Sequence, residues 1–248
     1  MDDEELEPMG EEEHYVAGSK LANYEDFCPI TKIWGYTQPD GTFLSSSGDV
    51  LPTSDLIPNP GFLIIHLGDS LDKEHTVDSA AEALYSGLFA LFSACDVPVD
   101  LERIRTATEF SEFMKIRRAL YSNLILIGHG STEGLKFLDK PTRVKGAELA
   151  GMMGYDSAKT PLQILSLCCH SGCADISKSL SSSEGVTEVI APSGYFDLRW
   201  AVHFVTGYFL ARYINGANSE EALKINCSAS KLKTCIWRDG EQTHCTSD

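Results

Sequence analysis

Two short motifs in this sequence contain residues that could carry out covalent chemistry, and each directly follows an apolar run. A Gly-His-Gly motif centred on His129 follows the run 124–127, and an adjacent cysteine pair, Cys168 and Cys169, follows the run 162–167. A thiol attacks a carbonyl well only as the thiolate, and a nearby histidine is the usual means of producing it. The two motifs therefore predict a Cys-His pair for nucleophilic attack on an acyl group.

Glycines beside these side chains predict where the oxyanion of such a reaction would bind. The acyl transition state needs hydrogen-bond donors for its negative oxygen. Gly130, next to His129, offers an unobstructed backbone N–H, and the N–H of Cys169 is the natural second donor. Glycine also lets the chain turn sharply and admits a substrate close to the backbone.

Alternating strands and helices would position these motifs. Apolar runs predict strands at 62–67, 97–104, 124–127, 162–167 and 187–191, and helical periodicity predicts helices at 77–95, 109–120, 146–153, 198–213 and from residues 174 and 219 onward. This alternation predicts an α/β sandwich with a mostly parallel sheet. Ligands of such sheets bind beyond the carboxyl ends of the strands, so neighbouring strands would bring His129 and Cys169 to the same edge.

Several local features are predicted as well. Ser219, followed by two glutamates, is expected to cap the last helix. Residues 179–183 are expected to form a polar loop and His66 to be a structural histidine. His203 is expected to pack in the core or to have a carbonyl as its partner. A Pro-Asp-Gly turn signal predicts a hairpin around residues 34–41.

The sequence around both motifs resembles that of caspase-type cysteine peptidases. The stretches 125–131 (ILIGHGS) and 164–172 (ILSLCCHSG) are similar to the histidine and cysteine motifs of those enzymes, and the Cys-His-Ser-Gly portion is similar to metacaspases. The segments 189–197 (VIAPSGYFD), 204–216 (FVTGYFLARYING) and 221–223 (EAL) resemble the end of CHAT domains. The resemblance covers residues 61–231 and implies a caspase-like three-layer α/β/α sandwich that hydrolyses peptide bonds.

The resemblance also implies a role for each residue at the two motifs. By position, His129 matches the catalytic histidine of the family and Cys169 its nucleophile, with the backbone amides of Gly130 and Cys169 as oxyanion donors. The His-Ser-Gly that follows, and side-chain alternation from Leu167, favour Cys169 over Cys168 as the nucleophile. Cys168 is then expected to be a buried, apolar-type cysteine.

Substrate preference depends on acids near the same edge of the sheet. Asp197 could cap the following helix, line the substrate pocket, or do both. Glu133 lies in the loop after the Gly-His-Gly motif and is either a solvated surface charge or a substrate contact. If either lines the pocket for the residue before the scissile bond, that residue is basic. Two positions depart from the family patterns: Leu167, where metacaspases carry an acid, and Gly194-Tyr195, where CHAT domains often carry Trp-Pro.

Two other functions stay open from the sequence. Cys168, Cys169, His170 and Cys173 form a cluster of the kind that binds zinc, although adjacent strand residues point in opposite directions and no second Cys-x-x-Cys pair is present. A catalytically silent caspase-like scaffold is the other alternative, and the presence of both His129 and Cys169 argues against it. The peptidase hypothesis requires no metal and no cofactor.

Charge divides the chain into regions. The sequence has 20 Lys and Arg against 36 Asp and Glu, a formal net charge of −16. Half of this excess lies in residues 1–14, which hold eight acids and are predicted to be a disordered tail, either solubilising or a contact arm for a basic partner. Residues 15–60 are interpreted as an N-terminal extension and residues 61–248 as the caspase-like (CHAT) peptidase domain. Such acidity argues against direct binding to nucleic acid or to an anionic membrane.

Location and partners are expectations of the same kind. The sequence has eight cysteines but no signal peptide, which predicts reduced thiols in the cytoplasm. The resemblance to CHAT proteins implies an effector that a sensor switches on, often in bacterial defence or cell-death pathways. The expected partners are a protein substrate and a sensor or activator protein.

Overall fold

A small antiparallel sheet precedes the main body of the protein. The computed structural model describes residues 61–68, 76–92, 97–153, 161–230 and 232–246, together with the backbone of four strands before residue 53. These strands are β1 (Asp26–Cys28), β2 (Ile33–Thr37), β3 (Thr42–Ser45) and β4 (Val50–Pro52), and they pair in that order. The hairpin predicted around residues 34–41 is confirmed, because β2 and β3 pair antiparallel. The acidic tail predicted for residues 1–14 lies outside the described residues.

Seven strands form the central sheet. They are β5 (Phe62–Leu67), β6 (Val99–Ile104), β7 (Asn123–Ile127), β10 (Leu162–Ser166), β11 (Val186–Pro192), β12 (Thr234–Arg238) and β13 (Glu241–Cys245). Their order is β13-β12-β11-β10-β7-β5-β6, in which the strands from β11 to β6 are parallel and β12 and β13 are antiparallel. Two further short strands, β8 (Gly130–Ser131) and β9 (Gly134–Leu135), form a separate hairpin.

Helices cover both faces of the sheet. In the described part of the chain they are α1 (Thr76–Phe92), α2 (Ala107–Arg117), α3 (Gly146–Met152), α4 (Ala174–Ser181), α5 (Ala201–Phe209) and α6 (Ser219–Ser230). Helices α1, α5 and α6 pack on one face, and α2, α3 and α4 on the other. A 3-10 turn, Leu198–Trp200, precedes α5, and a π-helical turn, Leu210–Ile214, follows it. The architecture is the predicted three-layer α/β/α sandwich with a mostly parallel sheet. None of these helices is both long and apolar enough to span a bilayer.

Side-chain alternation along the strands sorts the core into two layers. On β7, Ile125 and Ile127 face the layer of α1, α5 and α6, whereas Leu124 and Leu126 face the opposite layer. Burying one such side chain fully stabilises the fold by about 1.5–3 kcal/mol. The two apolar layers hold β7 and β10 side by side, and this sets the positions of the residues that follow each strand.

Residues 179–183 do not form the predicted polar loop. Helix α4 extends into this segment, and its serines bond back to the helix instead of leaving it. The Ser179 hydroxyl donates to the carbonyl of Asp175 at 2.8 Å, and the Ser182 hydroxyl donates to the carbonyl of Lys178 at 2.8 Å. These bonds are of the i to i−4 type that lets serine remain on a helix.

Two other local predictions are wrong. Asn218 and not Ser219 caps α6: Asn218 Oδ1 accepts from the backbone N–H of Glu221, and the Asn218 N–H donates to the Glu221 carboxylate, both at 2.9 Å. This reciprocal pair is a capping box, and it leaves the Ser219 hydroxyl free to donate to Glu188. His203 is exposed, because it lies off the stripe of residues that α5 buries.

The C-terminal hairpin departs from expectation in two respects. The polar sequence of β13 carries no apolar alternation that would predict a strand, yet it pairs with β12. Cys235 and Cys245 lie directly opposite each other across this pair and form a disulfide. The expectation of reduced thiols is therefore wrong for these two cysteines. The four other cysteines whose side chains are described form no disulfide: Cys168, Cys169, Cys173 and Cys227.

Candidate active site

The two predicted catalytic residues follow neighbouring parallel strands. In the register of β7 and β10, Leu126 is opposite Ser166. His129 and Cys169 each lie three residues beyond that pair. The topology therefore brings both residues to the same edge of the sheet, at the carboxyl ends of its central strands, which is where ligands of parallel sheets bind.

Gly130 is in close contact with the cysteine pair. A Cβ atom placed on Gly130 would lie 3.0 Å from Cys168 Cβ and closer still to the carbonyl oxygen of Cys169. Any side chain at residue 130 would push these two segments apart, since real Cβ atoms hardly ever approach other atoms so closely. Gly130 is therefore required at this position for packing as well as for access to its N–H.

The two adjacent cysteines have different surroundings. Cys168 is fully buried and belongs to the apolar layer of α2, α3 and α4. Cys169 is half-buried and packs against the opposite layer, on the same side as Leu165 and Leu167. The alternation predicted from the sequence is thus confirmed. Cys169 is the partly accessible thiol of the pair.

A backbone N–H points at the Cys169 sulfur. The N–H of Phe196, in the loop that follows β11, donates to Cys169 Sγ at 3.3 Å. The sulfur also lies 3.8 Å from the carbonyl oxygen of Phe196, so both backbone groups of this residue contact it. The sequence gives no signal for it, because a backbone donor is supplied by the course of the loop and not by the type of residue.

The loop after Cys169 turns sharply and is held by backbone hydrogen bonds. His170 has a φ of 58°, in the left-handed region that side chains other than glycine seldom occupy. Its N–H donates to the carbonyl of Gly194, and the Gly172 N–H donates to the carbonyl of Pro192, both at 2.8 Å. This turn directs the chain away from the sheet directly after Cys169. Such local strain is common at functional sites.

His129 is half-buried at the start of the β8–β9 hairpin. Its carbonyl accepts from the Lys136 N–H at 3.0 Å, which fixes the backbone beside the imidazole. Within the described ranges its buried Nε2 atom has no hydrogen-bond partner. Most buried polar atoms in proteins have a hydrogen-bond partner, so this nitrogen is an exception.

His66 has a separate partner. It lies opposite Ile127 in the pairing of β5 with β7, and it is buried. Its Nδ1 atom is 3.4 Å from the carboxylate of Asp78 on α1. This ion-pair contact is consistent with its interpretation as a structural histidine.

The two candidate specificity acids lie in different environments. Asp197 caps the turn 198–200 by accepting from the Arg199 N–H at 3.0 Å, and it also forms an ion pair with the Arg199 side chain. The hydrogen bonds from Arg199 lower the pKa of this carboxyl. Glu133 is exposed, in the turn that links β8 to β9. Asp197 follows Phe196 directly, so the chain places it beside the residue that contacts the Cys169 sulfur.

The geometry does not favour the zinc alternative. Cys168 and Cys169 face opposite layers of the sandwich, so they do not converge on one point. No group of three or more His, Cys, Asp or Glu side chains is arranged to hold a metal ion in the part of the chain that the structure describes.

Comparison with known proteins identifies a shared fold. No protein-family model and no curated protein sequence matches this chain. An inactive zymogen of a C11 protease from Parabacteroides distasonis has a similar structure, with a TM-score of 0.51 and 9% identity over 73% of this chain and 62% of that one. A secreted C11 cysteine protease from Bacteroides thetaiotaomicron, solved with an irreversible peptide inhibitor, has a TM-score of 0.51 and 7% identity over 73% of this chain and 66% of that one.

These comparisons bear on the fold alone. The chain spans about two thirds of the length of each of these proteins, at 62% and 66%. The chain has the caspase-like α/β fold of those C11 proteases, a mostly parallel sheet between two layers of helices.

Proposed function

We propose that this chain is a cysteine endopeptidase that cleaves a protein substrate with Cys169 as nucleophile and His129 as its base. The observation that carries the proposal is the contact of the His129-Gly130 segment with the Cys168-Cys169 peptide, at the carboxyl edge of two adjacent parallel strands. The half-buried Cys169 thiol and the unpartnered Nε2 of His129 support it, as does the fold shared with C11 proteases.

The proposed reaction assigns a role to each of these groups. His129 takes the proton of the Cys169 thiol, and the N–H of Phe196 stabilises the resulting thiolate. The thiolate attacks the substrate carbonyl, and the backbone N–H groups of Gly130 and Cys169 bind the oxyanion. His129 then protonates the leaving amine, and water hydrolyses the thioester to release the second product.

Asp197 and Glu133 are proposed as the substrate contacts, with a basic side chain preceding the cleaved bond. Asp197 already holds a guanidinium, that of Arg199, in an exposed ion pair. Exposed pairs of this kind contribute little to stability, so a basic substrate side chain can replace Arg199 at little cost. Glu133 is exposed in the hairpin next to His129 and is free to approach a bound peptide.

Control by a partner is part of the proposal. The CHAT-like segments at 189–197 and 204–216 support the idea of an effector that a sensor or activator protein switches on, in a bacterial defence or cell-death pathway. A cytoplasmic location rests on the sequence alone. The Cys235–Cys245 disulfide weighs against it, because disulfides persist mainly in oxidising compartments.

A peptide electrophile that reacts with thiolates tests the proposal. We expect covalent labelling of the wild type, no labelling of Cys169→Ala, and much slower labelling of His129→Ala. Cys168→Ala is the matched control, and it should label normally because Cys168 faces the opposite layer. Labelling that persists in Cys169→Ala would refute the choice of nucleophile. No labelling under any activating condition, including addition of candidate activators, would refute the peptidase function.

A peptide library defines the preferred substrate. Wild type is compared with Cys169→Ala, so that only cleavage that depends on the thiol is counted. We expect cleavage after Lys or Arg, reduced in Asp197→Asn. Cleavage after other residues, unchanged in Asp197→Asn and in Glu133→Gln, would contradict the proposed roles of both acids.

A further inference from the structure

A polar cavity lies at the edge of the sheet opposite His129 and Cys169. Its volume is about 330 Å³, and its walls include Gln163 near the start of β10 and Glu188 near the start of β11. Cys169 lies six residues after Gln163, a separation of up to about 20 Å at about 3.3 Å per residue. The cavity is therefore distinct from the candidate active site. Its size is near the lower end of the range for small-molecule pockets, about 300–1,000 Å³.

Gln163 lines this cavity and has an unsatisfied acceptor. The side chain is only 6% exposed, and its Nε2 atom donates to the Glu188 carboxylate and to the Tyr208 hydroxyl. A carboxylate accepts hydrogen bonds and cannot donate one when ionised, so the amide nitrogen must face Glu188 and the amide oxygen must face away. That oxygen, Oε1, is buried and has no partner in the described structure. A buried unsatisfied acceptor costs about 1–3 kcal/mol unless a ligand or water supplies a donor.

Arg212 also lines the cavity and has one unsatisfied buried donor. Its Nη1 atom donates to the carbonyl of Ala217 at 2.9 Å. The buried Nε atom has no partner, and no carboxylate of the described ranges lies within ion-pair distance of the guanidinium. Nε and Nη2 form one edge of the guanidinium fork, the edge that binds a carboxylate or phosphate through two parallel hydrogen bonds.

The other charges of the cavity do not neutralise Arg212. Glu188 is already paired with Arg238, whose Nε and Nη2 atoms lie 3.2 and 3.0 Å from the same carboxylate oxygen. Its second oxygen accepts from Gln163 and Ser219. Helix α6 begins at Ser219 in the cavity wall, so the positive end of its dipole adds to the charge of Arg212.

We propose that this cavity is a binding site for a small anionic metabolite that also carries an N–H or O–H donor. The carboxylate or phosphate of the ligand binds the Nε–Nη2 edge of Arg212, and its donor group binds Oε1 of Gln163. The site is independent of the proposed peptidase chemistry, because it shares no residue with the His129–Cys169 edge.

Binding to the Cys169→Ala chain tests the site without reference to catalysis. Isothermal titration calorimetry and thermal unfolding are measured with three probes: inorganic phosphate, a nucleoside 5′-monophosphate and L-glutamate. These probes distinguish a phosphate from a carboxylate ligand and free phosphate from a ligand with its own donors. We expect saturable binding of at least one probe, weakened at least about tenfold by adding Arg212→Gln.

Two further variants make the test decisive. Arg105→Gln removes an exposed arginine at the opposite edge of the sheet and should leave the affinity unchanged. Arg212→Lys keeps the charge but not the fork, so it should weaken binding even if Arg212→Gln fails to fold. Binding of none of the probes would overturn the proposal, and so would equal binding by the wild-type cavity and the Arg212→Lys variant.

Discussion

Replacement of Gly130 by alanine tests the contact on which the candidate active site depends. The added Cβ would lie 3.0 Å from Cys168 Cβ and nearer still to the Cys169 carbonyl oxygen. Both atoms belong to the segment that carries the proposed nucleophile, and neither is the end of a flexible side chain. The alanine therefore fits only if the segment after β7 moves away from the segment after β10.

The size of the effect follows from that displacement. Overpacking of a well-packed region costs about 1–3 kcal/mol of stability. A shift of about 1 Å between reacting groups can reduce the rate about 100-fold. Loss of a well-placed oxyanion donor costs about 100–1,000-fold in kcat. We expect Gly130→Ala to slow labelling of Cys169 at least about 100-fold while the protein remains folded, because typical domains have about 5–15 kcal/mol of stability.

The matched control is Gly151→Ala. Gly151 is exposed on α3, and a Cβ placed there would have no neighbour within 4 Å. Alanine should stabilise this helix by about 0.5–1 kcal/mol and leave the labelling rate unchanged. The assay combines urea unfolding with the rate of reaction of a peptide electrophile at Cys169. A Gly130→Ala variant that labels as fast as Gly151→Ala would refute the close contact between the two motifs.

Three other predictions concern stability. Glu188→Gln should lower the free energy of unfolding by about 1–3 kcal/mol in urea titrations, because it leaves the guanidinium of Arg238 without its buried carboxylate. Glu220 is the exposed partner of the same guanidinium, so Glu220→Gln should cost less than about 1 kcal/mol. Equal losses in the two variants would contradict this prediction. Replacing Cys235 and Cys245 together by alanine should lower the free energy of unfolding by about 2–3 kcal/mol. If reductant does not change the melting temperature of the wild type, that result would argue against the disulfide. Burial raises the pKa of Tyr213 to about 12; because the unfolded chain ionises near pH 10, this stabilisation is complete below about pH 10 and is lost as the pH rises to about 12. Urea unfolding at both ends of that range should therefore show a loss about 2 kcal/mol smaller for Tyr213→Phe, and identical losses would show that this phenol is not buried.

The sequence predicted the main elements of the sandwich well, because each element is recognised from residues that are close together in the chain. Each central strand is an apolar run bounded by polar residues or glycine, and β5 matches its predicted bounds, 62–67. The errors occur where the same residues are compatible with two local structures. A serine cluster suits a loop or the end of a helix, and in α4 the hydroxyls bond to carbonyls four residues back.

Longer-range pairing explains the remaining differences. Nothing in the polar sequence of β13 indicates a strand, and it becomes one because β12 offers an unpaired edge and Cys245 meets Cys235 across it. The cavity beside Gln163 and Arg212 was likewise invisible to sequence reasoning, since its walls include residues from three strands, the turn after α5 and the start of α6.

The sequence by itself determined the residue types and the element that carries each of them: a glycine-flanked His129 after one apolar run and a cysteine pair after another. The match of the following His-Ser-Gly to the family motif favoured Cys169 over Cys168 as the nucleophile. Side-chain alternation, a local property of an extended chain, supported the same choice. Only the tertiary structure decided that β7 and β10 are neighbours, that Gly130 packs against the cysteine peptide, and that the N–H of Phe196 reaches the sulfur. These facts depend on strand order and loop path, which are set by the packing of residues far apart in the chain.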